Sequence, residues 1–273
     1  MKSLKILVML VLIASGCAKE KDPTAVLDLA VVAGDQSIME SEFNALFETV
    51  DGALEQNNFY KSPGDALPLC AVFTHDTVLK RVTIDFGNEN CLCRDGNFRR
   101  GRIEVNYTDR RRVKGAVTTL NLVDFFVNDR RLTGVKTITN LGDSAGFPAF
   151  SFEVKDASLD FGDGTIRSWN RSAIVERIQG SNTPELADDV LRVRGTSNGT
   201  TRRGVKYSTT TTEPLIKKLS VGCIKNFVSG WLEIKDDLGN TVLLNYDPIG
   251  GAPCDKIAEV TVNGGPPRRI MLR

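Results

Sequence analysis

From Val82 to the C-terminus the chain is written in short alternating runs broken by turn signals, which leaves it little choice but an antiparallel sheet. Ile103, Val105 and Tyr107 alternate with Arg102, Glu104, Asn106 and Thr108, the period of two that gives a strand one buried face. Turn signals separate such runs at Asn128-Asp129, Asp163-Gly164, Asn198-Gly199, Leu238-Gly239-Asn240 and Asn263-Gly264-Gly265. Roughly ten to twelve strands fit this text. No long helical pattern follows residue 60, and parallel strands need crossovers of a dozen residues or more. The expected fold class is mainly β, a large antiparallel sheet built as a meander, an open half-barrel or a sandwich.

Two stretches depart from simple alternation. Val117 to Val127 is apolar at both parities (Leu120, Leu122 and Phe126 against Val123, Phe125 and Val127), which predicts cover on both faces. Phe150, Phe152 and Val154 set one parity while Ala157, Leu159 and Phe161 set the other, which predicts a bulge near Asp156. A weak repeat, Ile84-Asp85-Phe86-Gly87, Leu159-Asp160-Phe161-Gly162 and Leu244-Asn245-Tyr246-Asp247, reads as strand ends of one design. Its spacing is too irregular for a solenoid.

Ahead of the sheet lies one helical pattern. Met39, Phe43, Leu46, Phe47, Val50 and Leu54 recur at steps of three and four, with Glu40, Glu42, Glu48, Asp51 and Glu55 on other faces. Asp35 or Ser37 caps its start, and Pro63-Gly64 lies beyond its end. Residues 35–60 are therefore expected to form an amphipathic helix, and residues 61–273 the antiparallel β domain.

The extreme N-terminus gives an address. Lys2 and Lys5 precede an apolar run from Ile6 to Ile13, and Ala14-Ser15-Gly16-Cys17 follows. A basic start, a short apolar core and small residues make a secretory signal over residues 1–16. The run is too short to span a bilayer, which takes about 20 apolar residues. A cysteine directly after Ser-Gly resembles a bacterial lipoprotein signal, so Cys17 is expected to be lipidated, with residues 17–34 forming the lipidated cysteine and its tether. Removing Lys2 and Lys5 takes Lys+Arg from 35 to 33 against 34 Asp+Glu, so no basic field argues for nucleic acid.

Export sets the expectation for the other cysteines, since oxidising compartments favour disulfides. Cys223 is expected to pair with Cys254 around one hairpin, and Cys70 with Cys91 or Cys93. Zinc held by Cys70, Cys91 and Cys93 is the alternative, but the spacing is not Cys-x-x-Cys and His75 is the one histidine. No metal or other cofactor is expected.

Catalytic motifs do not assemble. The Asp-Phe-Gly triplets lack a kinase's His-Arg-Asp and glycine loop. Asp160, Asp163 and Gly164 offer oxygens to calcium but match no known loop spacing, and Asp163-Gly164 suffices as a turn. His75-Asp76 has no nucleophile elbow to serve. Arginine groups are the odder signal: Arg99-Arg100, Arg110-Arg111-Arg112, Arg130-Arg131, Arg202-Arg203 and Arg268-Arg269. They suit either solubilising turns or docking to anionic lipopolysaccharide, lipid head groups or phosphorylated glycans. Successive turns of a meander lie at opposite ends of its sheet, so no single patch is assured.

Taken together, the pieces resemble a group of uncharacterised lipoproteins of Bacteroidota. The matching stretches are the lipobox at Cys17, the acidic helix with Phe43, Phe47 and Val50-Asp51, and Val82-Thr83-Ile84-Asp85-Phe86-Gly87. Asp95-Gly96, Arg100-Gly101-Arg102-Ile103, Val127-Asn128, Thr137-Ile138-Thr139-Asn140 and Ser168-Trp169-Asn170 follow. Asn198-Gly199, Arg203-Gly204, Val228-Ser229-Gly230, Cys254-Asp255 and Val260-Thr261-Val262-Asn263-Gly264 complete the match. The resemblance implies an envelope address and an all-β body without a settled activity. The expectation is thus a non-catalytic lipoprotein of the outer membrane, facing the periplasm or the cell surface. It would hold the membrane through its lipid anchor and serve a structural, adhesive or partner-binding role toward an envelope glycan, lipid or protein. A carrier for an apolar ligand is the alternative, and an envelope hydrolase is third.

Overall fold

The computed structural model describes residues 68–272 except 94, 95, 184, 221, 224 and 225. The signal, Cys17, the tether and the expected helix lie outside the described residues. The strands are β1 (Val72–Asp76), β2 (Arg81–Asp85), β3 (Cys91–Leu92), β4 (Phe98–Tyr107), β5 (Val117–Val127), β6 (Arg130–Ser144) and β7 (Phe147–Asp160). They continue as β8 (Ile166–Gln179), β9 (Val190–Thr200), β10 (Lys206–Lys218), β11 (Ser229–Asp236), β12 (Thr241–Asn245), β13 (Ile257–Val262) and β14 (Arg268–Met271). All fourteen belong to one open sheet, in which β2 pairs with β4, β3 lies off the path against the start of β4, and every other strand pairs with the next along the chain. The pairings are antiparallel from one edge to the other. The architecture is therefore one continuous meander rather than two stacked sheets, with more strands than the ten to twelve expected.

Alternation decides which face is buried. Val82 and Ile84 on β2, Ile103 and Val105 on β4, and Leu120 on β5 point to one side and are buried in a single cluster. That cluster runs on through Leu132, Val154, Ala157 and Leu159 to Trp169, which is 1% exposed. The opposite face is polar: Thr119, Thr137, Glu153, Ser172, Thr196 and Thr210 stand in register across β5 to β10. The sheet also coils. Tyr246, just past β12, packs against the cluster of Ala173 on β8, Val193 on β9 and Leu215 on β10, and interacts electrostatically with Arg171 of β8. Four strand intervals would hold β8 and β12 roughly 19 Å apart in a flat sheet, so the apolar face is concave.

Bulges explain both departures from alternation. Near Asp156 (φ 53°) the register shifts between Val154 and Ala157, as the parity switch predicts. Gly134 (φ 127°) opposes it, where a Cβ would stand 2.8 Å from Ala157 Cα. In β5 the two parities do not mean cover on both faces, and that expectation is corrected. Asp124 (φ 43°) and Gly101 (φ 88°) form a bulge at which the register shifts between Arg100 and Arg102. Leu120 and Leu122 face inward before it, and Phe125 and Val127 after it. Phe126 is left outside, under the guanidinium of Arg100 at 3.9 Å. Asn198-Gly199 is corrected as well: it lies inside β9, paired with Asn170 and Tyr207. A side chain at Gly199 would overlap the Ser168 carbonyl and crowd the Tyr207 hydroxyl at 3.0 Å. The chain turns instead at Thr201–Gly204, closed by Thr201 N–H to Val205 O at 2.8 Å.

The weak repeat has one local cause. In all three copies the third-last side chain accepts the N–H two residues on: Asp85 from Gly87 at 2.8 Å, Asp160 from Gly162 at 2.9 Å, and Asn245 from Asp247 at 2.9 Å. This Asx turn stops the strand and swings the ring between toward the core. Phe86 meets Phe125 edge-on at 5.9 Å, and Tyr246 meets Phe227 at 5.4 Å.

Candidate docking surface

A meander sorts its connections between two rims. The loop before β4 and the turns β5–β6, β7–β8, β9–β10, β11–β12 and β13–β14 lie at one end of the sheet. The β1–β2, β4–β5, β6–β7, β8–β9, β10–β11 and β12–β13 connections lie at the other. Four arginine pairs (99–100, 130–131, 202–203 and 268–269) therefore share the first rim, and only the triplet 110–112 stands on the second. Sequence reasoning left this open because it depends on counting every strand.

The first rim neutralises much of its own charge. Arg100 pairs with Asp129, Arg131 with Asp124 at 3.1 Å, and Arg202 with Asp163 at 2.8 Å. Hydrogen bonds from Asn90 and Arg100 hold the Asp129 carboxyl below its usual range, and Thr165 does the same for Asp163. Phe161 lies between two guanidiniums, Arg202 at 3.7 Å and Arg130 at 5.3 Å. These contacts make the arginines ties between neighbouring turns. Asp163 also accepts from Thr165 N–H at 3.0 Å, so the oxygens that calcium would need are engaged in the turn.

The second rim is different at the corner where β1–β2 meets β4–β5. Residues 74–81 and 107–116 carry Lys80, Arg81, Arg110, Arg111, Arg112 and Lys114 against only Asp76 and Asp109. Both aspartates serve the backbone. Asp76 accepts from Val78 N–H at 2.9 Å and Leu79 N–H at 2.8 Å, and Asp109 accepts from Arg110 N–H at 2.7 Å. Arg111 turns in over the Phe150 ring at 4.9 Å. Arg110, Arg112 and Lys114 are exposed, and no ion pair joins them to an acidic side chain among the described residues. Lys80 donates to the Thr108 carbonyl and Arg81 to Asn106 Oδ1 at 3.1 Å, so both cations tie the neighbouring loops through neutral oxygens.

The corner is also rigid and unusually apolar. Tyr107 N–H bonds to Lys80 O at 3.1 Å, Gly115 N–H to Asn140 O at 2.8 Å, and Asn140 Nδ2 to Arg111 O at 2.7 Å. Val78 and Leu79, at the tip of the tight β1–β2 turn, are 89% and 66% exposed. Turn tips favour Gly, Asn, Asp, Pro and Ser, each for a backbone reason, yet here Lys80 takes φ 50° and two aliphatic residues face solvent. Val113, between Arg112 and Lys114, is 40% exposed. Sequence reasoning passed over Val78-Leu79; the available signal was an apolar pair too short for a strand, followed by Lys80-Arg81.

His75 and Asp76 do not act on each other. His75 Nε2 meets the Tyr107 hydroxyl at 2.8 Å, while Asp76 caps the turn. The cysteines form two pairs at disulfide distance: Cys70 with Cys91, Cα atoms 5.8 Å apart, and Cys223 with Cys254, 4.9 Å apart. Cys93 is buried, its Sγ donating to the Cys91 carbonyl at 3.6 Å, and belongs to neither pair. Among the described residues no three His, Cys, Asp or Glu side chains are grouped to hold a metal. No helix of the described residues is long and apolar enough to cross a membrane. Comparison with protein-family models, curated proteins and solved structures returned no match.

Proposed function

We propose that the chain is a lipid-anchored lipoprotein of the bacterial outer membrane, held by Cys17, whose β domain binds a partner in the envelope without catalysing a reaction. The observation that carries the reading is the pair of cysteine bridges. Cys70–Cys91 and Cys223–Cys254 staple opposite ends of the described chain, an arrangement suited to an oxidising compartment beyond the inner membrane. The signal ending in Ser15-Gly16-Cys17 supplies the route there. In this reading residues 35–60 form an amphipathic helix between tether and sheet.

Palmitate labelling of cells that express the chain tests the anchor. The wild type should incorporate label and partition into detergent, and Cys17→Ser should do neither. Unchanged detergent partitioning of Cys17→Ser would refute the anchor. The carrier alternative draws on the coiled apolar face, where burial pushes Tyr207, near Arg167, up to about 12 and draws Arg171, near Tyr246, down to about 10. Saturable, near-stoichiometric binding of an apolar fluorescent probe would favour the carrier over the scaffold.

A further inference from the structure

We infer that the β1–β2 and β4–β5 corner is a second membrane contact, in which Val78 and Leu79 enter a bilayer whose anionic head groups meet Lys80, Arg81, Arg110, Arg112 and Lys114. The inference deepens the anchored reading, because it says how the domain would sit on the membrane that Cys17 holds. Roughly fifty residues separate Cys17 from the first described strand, and with residues 35–60 helical a segment of that length reaches at most about 130 Å. The anchor therefore limits distance and leaves orientation to the domain itself.

Three features favour a bilayer over another anionic partner. First, cations are in excess: the loops at this corner hold six Lys and Arg against two Asp, and the hydrogen bonds of both Asp go to backbone N–H groups rather than to these side chains. The first rim, by contrast, pairs three of its arginines with aspartates. Second, the apolar side chains are at the tip, with the charge around and behind them. A phosphorylated glycan gives no return for exposed Val78 and Leu79, whereas an interface accepts aliphatic groups below its phosphates. Third, the tip is held rigid by Asp76 and by the Tyr107 to Lys80 bond, so little ordering cost remains on insertion. Exposed aliphatic residues and a positive φ at Lys80 break two local turn preferences at one site, which is where function is expected to override foldability.

The test uses the mature chain carrying Cys17→Ser, so that no acyl chain contributes and failure here leaves the anchor result standing. Co-sedimentation is measured with vesicles of phosphatidylcholine alone and with about one third phosphatidylglycerol. This parent chain should bind the anionic vesicles, lose binding in 0.5 M salt, and bind neutral vesicles weakly, as the ~10 Å Debye length at low salt and ~3 Å near 1 M require. Each basic residue near an anionic surface contributes a factor of about five, so Arg110→Glu with Arg112→Glu should weaken partitioning at least 25-fold. Val78→Ser with Leu79→Ser should weaken it about tenfold without changing thermal stability, since both side chains are exposed. Arg268→Glu with Arg269→Glu makes the same charge change on the other rim and should alter binding less than twofold. Equal loss in that control would overturn the site in favour of general charge attraction. Binding by the parent chain no stronger to anionic than to neutral vesicles would overturn the contact altogether, and full binding by Val78→Ser with Leu79→Ser would overturn insertion of the tip.

Discussion

Gly101→Ala should destabilise the β domain by roughly 2–4 kcal/mol, whereas Gly115→Ala at nearly the same backbone angle should cost only about 1 kcal/mol. Gly101 sits at φ 88° and Gly115 at φ 83°, so both substitutions carry the same strain of forcing an L residue into the left-handed region. They differ in their surroundings. A Cβ at Gly101 would overlap the Asp124 carbonyl oxygen and lie 2.6 Å from its carbon and 2.9 Å from Phe125 Cα. Those atoms are backbone and cannot rotate aside. At Gly115 nothing lies within 4 Å. Relieving the clash means opening the bulge, which endangers the bonds from Phe86 N–H to Gly101 O at 2.9 Å and from Gly101 N–H to Gly87 O at 2.7 Å. Each contributes about 0.5–1.5 kcal/mol net. Urea unfolding of the soluble mature chain reads the two midpoints at constant slope. Should the two variants lose stability equally, within about 0.5 kcal/mol, the reasoning from close backbone approach at the β4–β5 bulge is wrong.

Cys223→Ser should cost roughly 3–4 kcal/mol by freeing a loop of sequence separation 31, and non-reducing peptide mapping of the wild type should recover the 223–254 link. Unchanged unfolding midpoints with and without reductant would contradict it. Glu176, 7% exposed on β8, is held below its ordinary value of 4.5, chiefly by the hydrogen bond from Arg192 at 2.7 Å and with help from the Arg194 charge. Its ionised form therefore carries stability that is complete above the unfolded-state value and is lost as pH falls through the lower folded-state one. Glu176→Gln should lower stability by about 1–2 kcal/mol at pH 7, less than a fully buried pair because Arg194 is half exposed. The gap between variant and wild type should close as pH drops below about 4, and a gap independent of pH would show that the charge is not the cause.

Local patterning was enough for whatever depends on a residue and its near neighbours. Alternation at Ile103 and Val105 made them core, the parity switch at Asp156 made a bulge, and Asp85, Asp160 and Asn245 closed the same turn wherever they occurred. Cys223 and Cys254 met because both lie near one hairpin. Tertiary structure alone decided what depends on distant strands. The bulge in β5 arises because Gly101 of β4 admits the Asp124 carbonyl, a contact between residues 23 positions apart that no window on either strand reveals. Asn198-Gly199, a turn signal by composition, stayed in β9 because Asn170 and Tyr207 flank it on both sides and the strand continues to Thr200. The choice between Cys91 and Cys93 fell to the register of the short β3 against β4. The rims are the clearest case. Each arginine group reads alike in sequence, but strand direction reverses at every turn, so the number of strands between two groups sets whether they share a rim. That count gathered four pairs on one rim, where Arg100, Arg131 and Arg202 meet aspartates, and left the 110–112 triplet on the other, beside Val78 and Leu79.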